Sequence, residues 1–285
     1  MENKPKLTFL LCGTGKAGTT WIHACCEEHH DICVPIKKKE IHFFSRYFNN
    51  GFDWYNKYFD HYSNQKAVGE ICPSYFSTDQ FPDTARNIYM NYPKVKIILV
   101  LRHPVEREYS SYRMFLRAGK VSDKIENVLV PEWEHVKTAR YYHHLSAYLK
   151  YFPKENIHIL FYDDLVNNSR SFIQNFFKII GVDESFVPTL VNQKYHVTKD
   201  RPKYQNIYNN LVRVGEWLSN SSLKGKFFID FIRKRGIVDI FHNINKGDDF
   251  PTLSEKQREQ LLKYFYDEVK KIEQFSGRKL DNWFK

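Results

Sequence analysis

Residues 13–20, GTGKAGTT, follow the apolar run LTFLLC and lead into WIHACCEE. Glycines at 13, 15 and 18 let the backbone approach a ligand closely, so that successive N–H groups can point into one concavity. Thr19 and Thr20 then fall in the first turn of a helix, where unpaired N–H groups and the helix dipole favour an anion. Lys16 adds a full positive charge. The chemistry on offer is phosphate binding. The pattern is not the nucleoside triphosphate loop G-x-x-x-x-G-K-[ST], because Lys16 precedes the second glycine and two threonines stand where lysine and serine belong.

Two further stretches carry groups suited to the same chemistry. In KKKEIHFF (37–44), an extended backbone would send Glu40 and His42 to one side and Ile41 and Phe43 to the other. A carboxylate beside aromatic residues and near a phosphate loop is placed to act as a general base. His42, which titrates nearer neutrality, is the alternative base. In VLRHPVEREYSSYRMF, Arg102 comes straight off a buried strand, and Ser110 lies about two turns up the helix that opens at Pro104. Arginine forks a phosphate with two parallel hydrogen bonds, to which a serine adds a third. Glu106 and Arg107 read as surface ion-pairing residues. Glu70 either orients Lys16 or an acceptor, or is an ordinary strand-end carboxylate.

Bringing these groups together takes a sheet. LTFLLC (7–12), VKIILVL (95–101) and IHILFY (157–162) are apolar and rich in β-branched residues, as buried parallel strands are, and AVGEI (67–71) is a shorter fourth. Helical patterns lie at 19–29, 80–90, 104–116, 132–151, 169–180 with Gly181 as its cap, and 254–275. Strands alternating with helices predict a three-layer α/β fold, a central parallel sheet flanked by helices, with ligands beyond the carboxyl ends of the strands. Residues 183–250 read as helices and loops covering that face, all within one domain spanning 1–285.

The chain has 285 residues, 42% of them hydrophobic, enough for a large core. A formal charge of +10 points to an anionic partner, but no zinc-finger, helix-turn-helix or RNP pattern accompanies it, so nucleic acid is not expected. Five cysteines without a C-x-x-C pair fit a reduced compartment. No apolar run approaches the ~18 residues of a membrane span, and a soluble cytoplasmic protein is the expectation. The aromatic residues of NGFDWYNKYF read as packing, with stacking on a sugar as the alternative; His143 and His144 read as one solvated and one half-buried residue, or as lining an acceptor cleft.

GTGKAGTTWI, EIHFFS, GFDWY, GEICPSYF, LVLRHPVEREYSSY and YFPKENIHILFYDDL together resemble the sulfotransferases that use 3′-phosphoadenosine-5′-phosphosulfate (PAPS), most of all the heparan sulfate N- and 3-O-sulfotransferase branch, here as a bacterial-type soluble member. The motifs keep the family's order over residues 7–181, and NKGDDFP with GRKLDNW extends the likeness to the C-terminus. The resemblance implies a P-loop-like sulfotransferase fold that takes PAPS as co-substrate, releases 3′,5′-bisphosphoadenosine and sulfates a carbohydrate or other hydroxyl or amine acceptor. It implies that Gly15, Lys16, Ala17, Gly18, Thr19 and Thr20 hold the 5′-phosphosulfate, with Lys16 also catalytic. Arg102 and Ser110 match the 3′-phosphate ligands, Glu40 the catalytic base, and Lys246 and Gly247 a loop closing over the nucleotide.

Two departures stand out. Asp248 and Phe250 replace the arginine and the aromatic or histidine of that loop, and Ile71 stands where E-K-T-P members carry a lysine. The run 37–39 is a candidate replacement for that lysine. No metal is expected, since lysine and arginine neutralise the leaving group and neither a carboxylate cluster nor H-E-x-x-H is present. The rival readings are a P-loop-like kinase or NTPase, and a non-enzymatic basic module for acidic polysaccharide or nucleic acid.

Overall fold

A computed structural model of the chain describes residues 6–191 and 249–285. Five parallel strands form its sheet: β1 (Phe9–Gly13), β2 (Ile32–Cys33), β3 (Ala67–Ile71), β4 (Lys96–Leu101) and β5 (Ile157–Phe161), in the order β2-β3-β1-β4-β5. Four of these match the apolar runs; the two-residue β2 is too short to leave a pattern. Along β4, Ile97, Leu99 and Leu101 face one core while Ile98 and Val100 face the other, and β1 divides Leu10 from Phe9 and Leu11 in the same way. Both faces are therefore buried, which is why the strands read as continuous apolar runs instead of alternating ones.

Helices α1 (Thr19–Glu28) and α9 (Ser169–Ile180) cover one face through Trp21, Ile22, Phe172 and Phe176. The other face carries α2 (Phe43–Arg46), α3 (Gly51–Asn56), α4 (Thr84–Asn91), α5 (Pro104–Arg117), α6 (Glu134–Lys137), α7 (Tyr141–Leu149) and α10 (Glu255–Ser276), while α8 (Tyr162–Asn167) follows β5. The aromatic residues around NGFDWYNKYF are packing. Tyr55 is buried and stacks on Phe43 with centroids 4.4 Å apart, and Phe52, Trp54 and Tyr58 lie against the same core.

Several boundaries differ from the expectation, each for a physical reason. The single helix expected over 132–151 is two, α6 and α7. Arg107 reaches across from α5 to the His135 carbonyl at 3.3 Å and to the Thr138 hydroxyl, and Arg140 leaves helical geometry at φ −76, ψ 72. Helix α4 starts at Thr84 and not at position 80, because Pro82 has no N–H and disfavours helical geometry at Phe81. Helices α9 and α10 match closely, α9 ending in left-handed Gly181 and α10 opening with a capping box between Ser254 and Gln257. All five cysteines are free and buried, packed as small apolar side chains.

Gly69 is set by the sheet itself. It sits opposite Phe9, and a Cβ there would lie 2.5 Å from the Phe9 carbonyl oxygen, a backbone atom that cannot move aside. Gly69→Ala should destabilise the fold by about 1–3 kcal/mol, read from the denaturant midpoint. An unchanged midpoint would show that β1 and β3 can part here.

Candidate active site

Strand order reverses around β1. The chain leaves β1 toward β2 and β3 on one side and leaves β4 toward β5 on the other, so the topological switch point lies at the carboxyl ends of β1 and β4, the usual ligand position in such sheets. The loop after β1 carries Lys16, and the residue after β4 is Arg102.

The loop is held in an unusual shape. Lys16 has φ 69, in the left-handed region that a lysine adopts only when its surroundings enforce it. Gly18 follows at φ 81 as the N-cap of α1, a conformation that favours glycine, and a Cβ on it would push aside the Leu165 methyl 2.5 Å away. Two arginines hold the loop from behind. Arg102 donates through a guanidinium N–H to the Lys16 carbonyl at 3.1 Å and stacks on the Tyr162 ring at 4.8 Å, while Arg107 Nε donates to the Gly15 carbonyl at 3.2 Å. Arg107 is thus no surface residue. It is buried and paired with the fully buried Glu108, while the exposed pair is Glu106 with Arg258. A helix residue in the first turn points its side chain back toward the N-terminus, here toward the strand ends, and that geometry was the available signal for Arg107.

Gly15, Lys16 and Gly18 are half-buried, while Ala17 is buried against α1 and β1. Thr19 is buried and Thr20 half-buried at the head of α1, and both hydroxyls accept from Lys39 Nζ, at 3.3 and 3.2 Å. The same ammonium donates to Glu40 Oε1 at 2.9 Å. Lys39 therefore ties the phosphate-type loop to the candidate base, a contact the sequence showed only as one of three consecutive lysines. Ser110 sits half-buried on α5. Lys246 and Gly247 lie outside the described residues, as do Asp248 and most of the cover expected over 183–250.

The backbone around Glu40 is not extended. His42 takes φ 62 as the N-cap of α2, yet the two side chains still meet, with His42 Nε2 3.8 Å from Glu40 Oε2. His42 Nδ1 lies 2.7 Å from Ser74 Oγ. Burial pulls the His42 pKa below its ordinary value against the opposing Glu40 charge, so the imidazole is neutral at physiological pH. Behind both stands Glu70, fully buried, which burial lifts to about 7 although four hydrogen bonds work the other way.

The electrostatics of the loop are those of an anion site. Lys16 is lowered to about 8, first by burial and then by the charges of Arg102, Arg107, Arg113 and Lys39. Cations gathered at a strand-to-helix turn repel one another until an anion joins them.

Two groups of potential metal ligands occur among the described residues, where the sequence showed none: Glu40, His42 and Cys72, and Asp79, His143 and His144. In the first, Lys39 already neutralises Glu40, and burial holds the Cys72 thiol far above its ordinary pKa. In the second, buried His144 has its ring nitrogens 2.8 Å from Thr78 Oγ1 and 3.1 Å from the Lys137 carbonyl, and half-exposed His143 faces Asp79. Asp163 and Asp164, at the end of β5, serve the C-terminal segment: Trp283 Nε1 donates to Asp163 at 2.7 Å and Arg278 forks Asp164. A kinase or NTPase would use such an aspartate for a nucleotide-bound metal, whereas here both are engaged by the C-terminal segment. Among the described residues no helix is long and apolar enough to cross a membrane.

Comparison with known proteins agrees with this geometry. A family model described as "Sulfotransferase domain" matches residues 7–226. Mouse heparan sulfate glucosamine 3-O-sulfotransferase 5 is 26% identical over 288 residues, which take in 96% of this chain and 73% of that protein. Human heparan sulfate glucosamine 3-O-sulfotransferase 6 is 32% identical over 160 residues, 53% of this chain and 45% of the relative. The membrane-associated sulfotransferase kil1 of Dictyostelium discoideum is 38% identical over 112 residues, but the matched part is 38% of this chain and 23% of that protein. The crystal structure of a sulfotransferase from Alicyclobacillus acidocaldarius superposes with a TM-score of 0.70 at 21% identity, over 99% of this chain and 100% of that one, and so shares the fold. With the family's domain matched over residues 7–226, which take in this strand, loop and helix, the chain belongs to the sulfotransferase family and is a sulfotransferase enzyme.

Proposed function

We propose that the enzyme transfers a sulfuryl group from PAPS to a hydroxyl or amine of a saccharide. One observation carries this reading: Arg102 is bonded to the Lys16 carbonyl, and Lys39 joins Thr19 and Thr20 to Glu40, so loop, arginine and candidate base form one cluster. The loop N–H groups, Lys16 and the two threonines hold the 5′-phosphosulfate, and Arg102 with Ser110 holds the 3′-phosphate. Lys246 and Gly247 complete that side. Phe250, further along the same segment, packs its ring 4.5 Å from the Arg113 guanidinium on α5. Heparan sulfate enzymes among the relatives support a saccharide acceptor.

Glu40 takes the proton from the acceptor as its oxygen or nitrogen attacks sulfur in line. The new bond to sulfur forms as the bond from sulfur to the bridging phosphate oxygen breaks, and the electron pair leaves on the 5′-phosphate of 3′,5′-bisphosphoadenosine. Lys16 and the loop N–H groups stabilise that growing charge, so catalysis rests on positioning and preset electrostatics. Lys39 supplies the cation that E-K-T-P members place at position 71, where Ile71 is buried in the core here. His42 stays neutral beside Glu40, while Lys39 holds the carboxylate in place.

Radiolabelled PAPS offered with a panel of saccharides tests the reading directly. Label should move to a saccharide, and bisphosphoadenosine should bind without magnesium. A protein that prefers magnesium ATP, or transfers label to none of the saccharides while active on another acceptor, refutes the donor or the acceptor respectively.

The lowered Lys16 pKa gives a second check. An anionic ligand favours the ammonium form, so binding above pH 8 takes up a proton, and affinity falls as pH rises, by at most about tenfold per unit for one group. Calorimetry at about pH 8.5 in buffers of different ionisation heat counts that proton. Binding without uptake in the wild type, or uptake that persists in Lys16→Ala, removes Lys16 from this role.

A further inference from the structure

Glu70 is a buried carboxylate that the mechanism above does not use. Strand alternation places it on the same face of β3 as Val68, inside the aromatic layer, at 0% exposure. An ionised carboxylate only accepts hydrogen bonds, and burying one without partners is costly. Here four donors converge on it. Oε1 accepts from the backbone N–H of Ile41 at 2.8 Å and of His42 at 3.3 Å, and Oε2 accepts from the hydroxyls of Tyr55 at 2.9 Å and Tyr75 at 2.8 Å.

Two of those donors belong to the segment that carries Glu40 and His42. The hold extends one step further, because the Tyr75 oxygen also accepts from the Phe44 N–H at 3.3 Å. Ile41, Phe43 and Phe44 are thereby sealed in the core while His42 turns through φ 62, which leaves the side chains of Glu40 and His42 half-buried on the open side. A left-handed histidine persists only where its surroundings over-determine it. Glu70 provides two of those restraints, since it accepts from two consecutive N–H groups, those of Ile41 and His42, which flank the Ile41 Cα.

We infer that Glu70 is a positioning residue, an internal anchor whose carboxylate fixes the backbone of residues 41–42 and so aims the Glu40–His42 pair at the acceptor. The inference rests on the sulfuryl-transfer reading proposed above. Glu70 touches neither donor nor acceptor; it acts through Glu40. Gln at position 70 keeps one oxygen for the two N–H groups and can donate its NH2 to the tyrosine oxygens if their hydroxyls rotate, whereas Ala keeps nothing.

The test is a double-mutant cycle in the full chain: Glu70→Ala and Glu70→Gln, each in the wild-type and the Glu40→Gln backgrounds. The readouts are kcat from radiolabelled PAPS, KM for the acceptor and Kd for bisphosphoadenosine. Misplacing the base by about an ångström should lower kcat about 100-fold in Glu70→Ala. The Kd for bisphosphoadenosine should stay within about threefold, and Glu70→Gln should recover most of the rate. In the Glu40→Gln background the same change should cost less than about threefold, because a residue acting through Glu40 has nothing left to aim.

An equal loss in both backgrounds, or a nucleotide Kd that weakens in step with kcat, assigns Glu70 a general structural role and overturns the inference. Should Glu70→Ala fail to fold, Glu70→Gln and Tyr55→Phe carry the same cycle with smaller expected losses, and additivity there is equally fatal. A wild type that transfers nothing from PAPS defeats the reading of the reaction and the inference with it, whereas an active wild type with additive mutants defeats the inference alone.

Discussion

A Glu40→Gln enzyme is expected to bind bisphosphoadenosine as the wild type does and to turn over about 100- to 10,000-fold more slowly. The amide is nearly isosteric and can still accept from Lys39, which lies 2.9 Å from the carboxylate, so the loop and its threonines should keep their arrangement. What the amide cannot do is take a proton from the acceptor. The loss should therefore fall on kcat with KM little changed, the pattern of an interaction made only on the way to the transition state. Steady-state kinetics with a saccharide acceptor, beside calorimetry for the nucleotide, separates the two. A fully active Glu40→Gln would move the base to His42, and His42→Gln would then carry the larger loss.

Lys16→Ala and Arg102→Ala should show the opposite pattern, with nucleotide affinity falling about 100-fold in each. Both side chains meet doubly charged phosphate ends in the proposed complex, and both sit where burial makes a charge count for more than it does in water. Arg102 carries a second duty, because its N–H holds the Lys16 carbonyl and with it the left-handed turn of the loop. Arg102→Lys keeps the charge but loses the planar fork and the stack on Tyr162, so it should recover little of the affinity. Calorimetric titration of bisphosphoadenosine checks each variant. An alanine variant at either position that binds within threefold of the wild type contradicts the assignment of that residue.

The contrast with a kinase or NTPase rests on what the acidic residues at the end of β5 are doing. Asp163 and Asp164 follow a strand, as a magnesium-holding aspartate would, but Trp283 and Arg278 claim them for docking the C-terminal segment. A position in sequence could not reveal that, because both partners are more than 110 residues away.

Local chemistry made much of the molecule legible. The central strands β1 and β4 are buried on both faces and therefore read as apolar runs, and the caps at Gly181 and Ser254 are written in the residues that form them. The glycines at 13, 15 and 18 announce the loop, because the left-handed backbone at Gly18 favours a residue without a Cβ. What failed to show were features set by a distant partner. The break between α6 and α7 follows from Arg107 on another helix, and the left-handed turn at His42 accompanies a carboxylate on β3.

The amino-acid order thus determined by itself that a parallel sheet would form, that a glycine-rich turn carrying Lys16 would follow its first strand, and which residues could do acid–base work. Those properties depend on neighbours a few positions apart, where pattern and propensity act. Only the tertiary structure decided that Lys39 bridges the loop to Glu40, that Arg107 is buried beneath the loop, and that Glu70 turns inward to hold the Glu40–His42 segment. Two of these, Arg107 and Glu70, place a charged group where desolvation alone would disfavour it. Which cation or donor meets which carboxylate is settled by how the layers pack, since a buried charge survives only where packing brings it a partner.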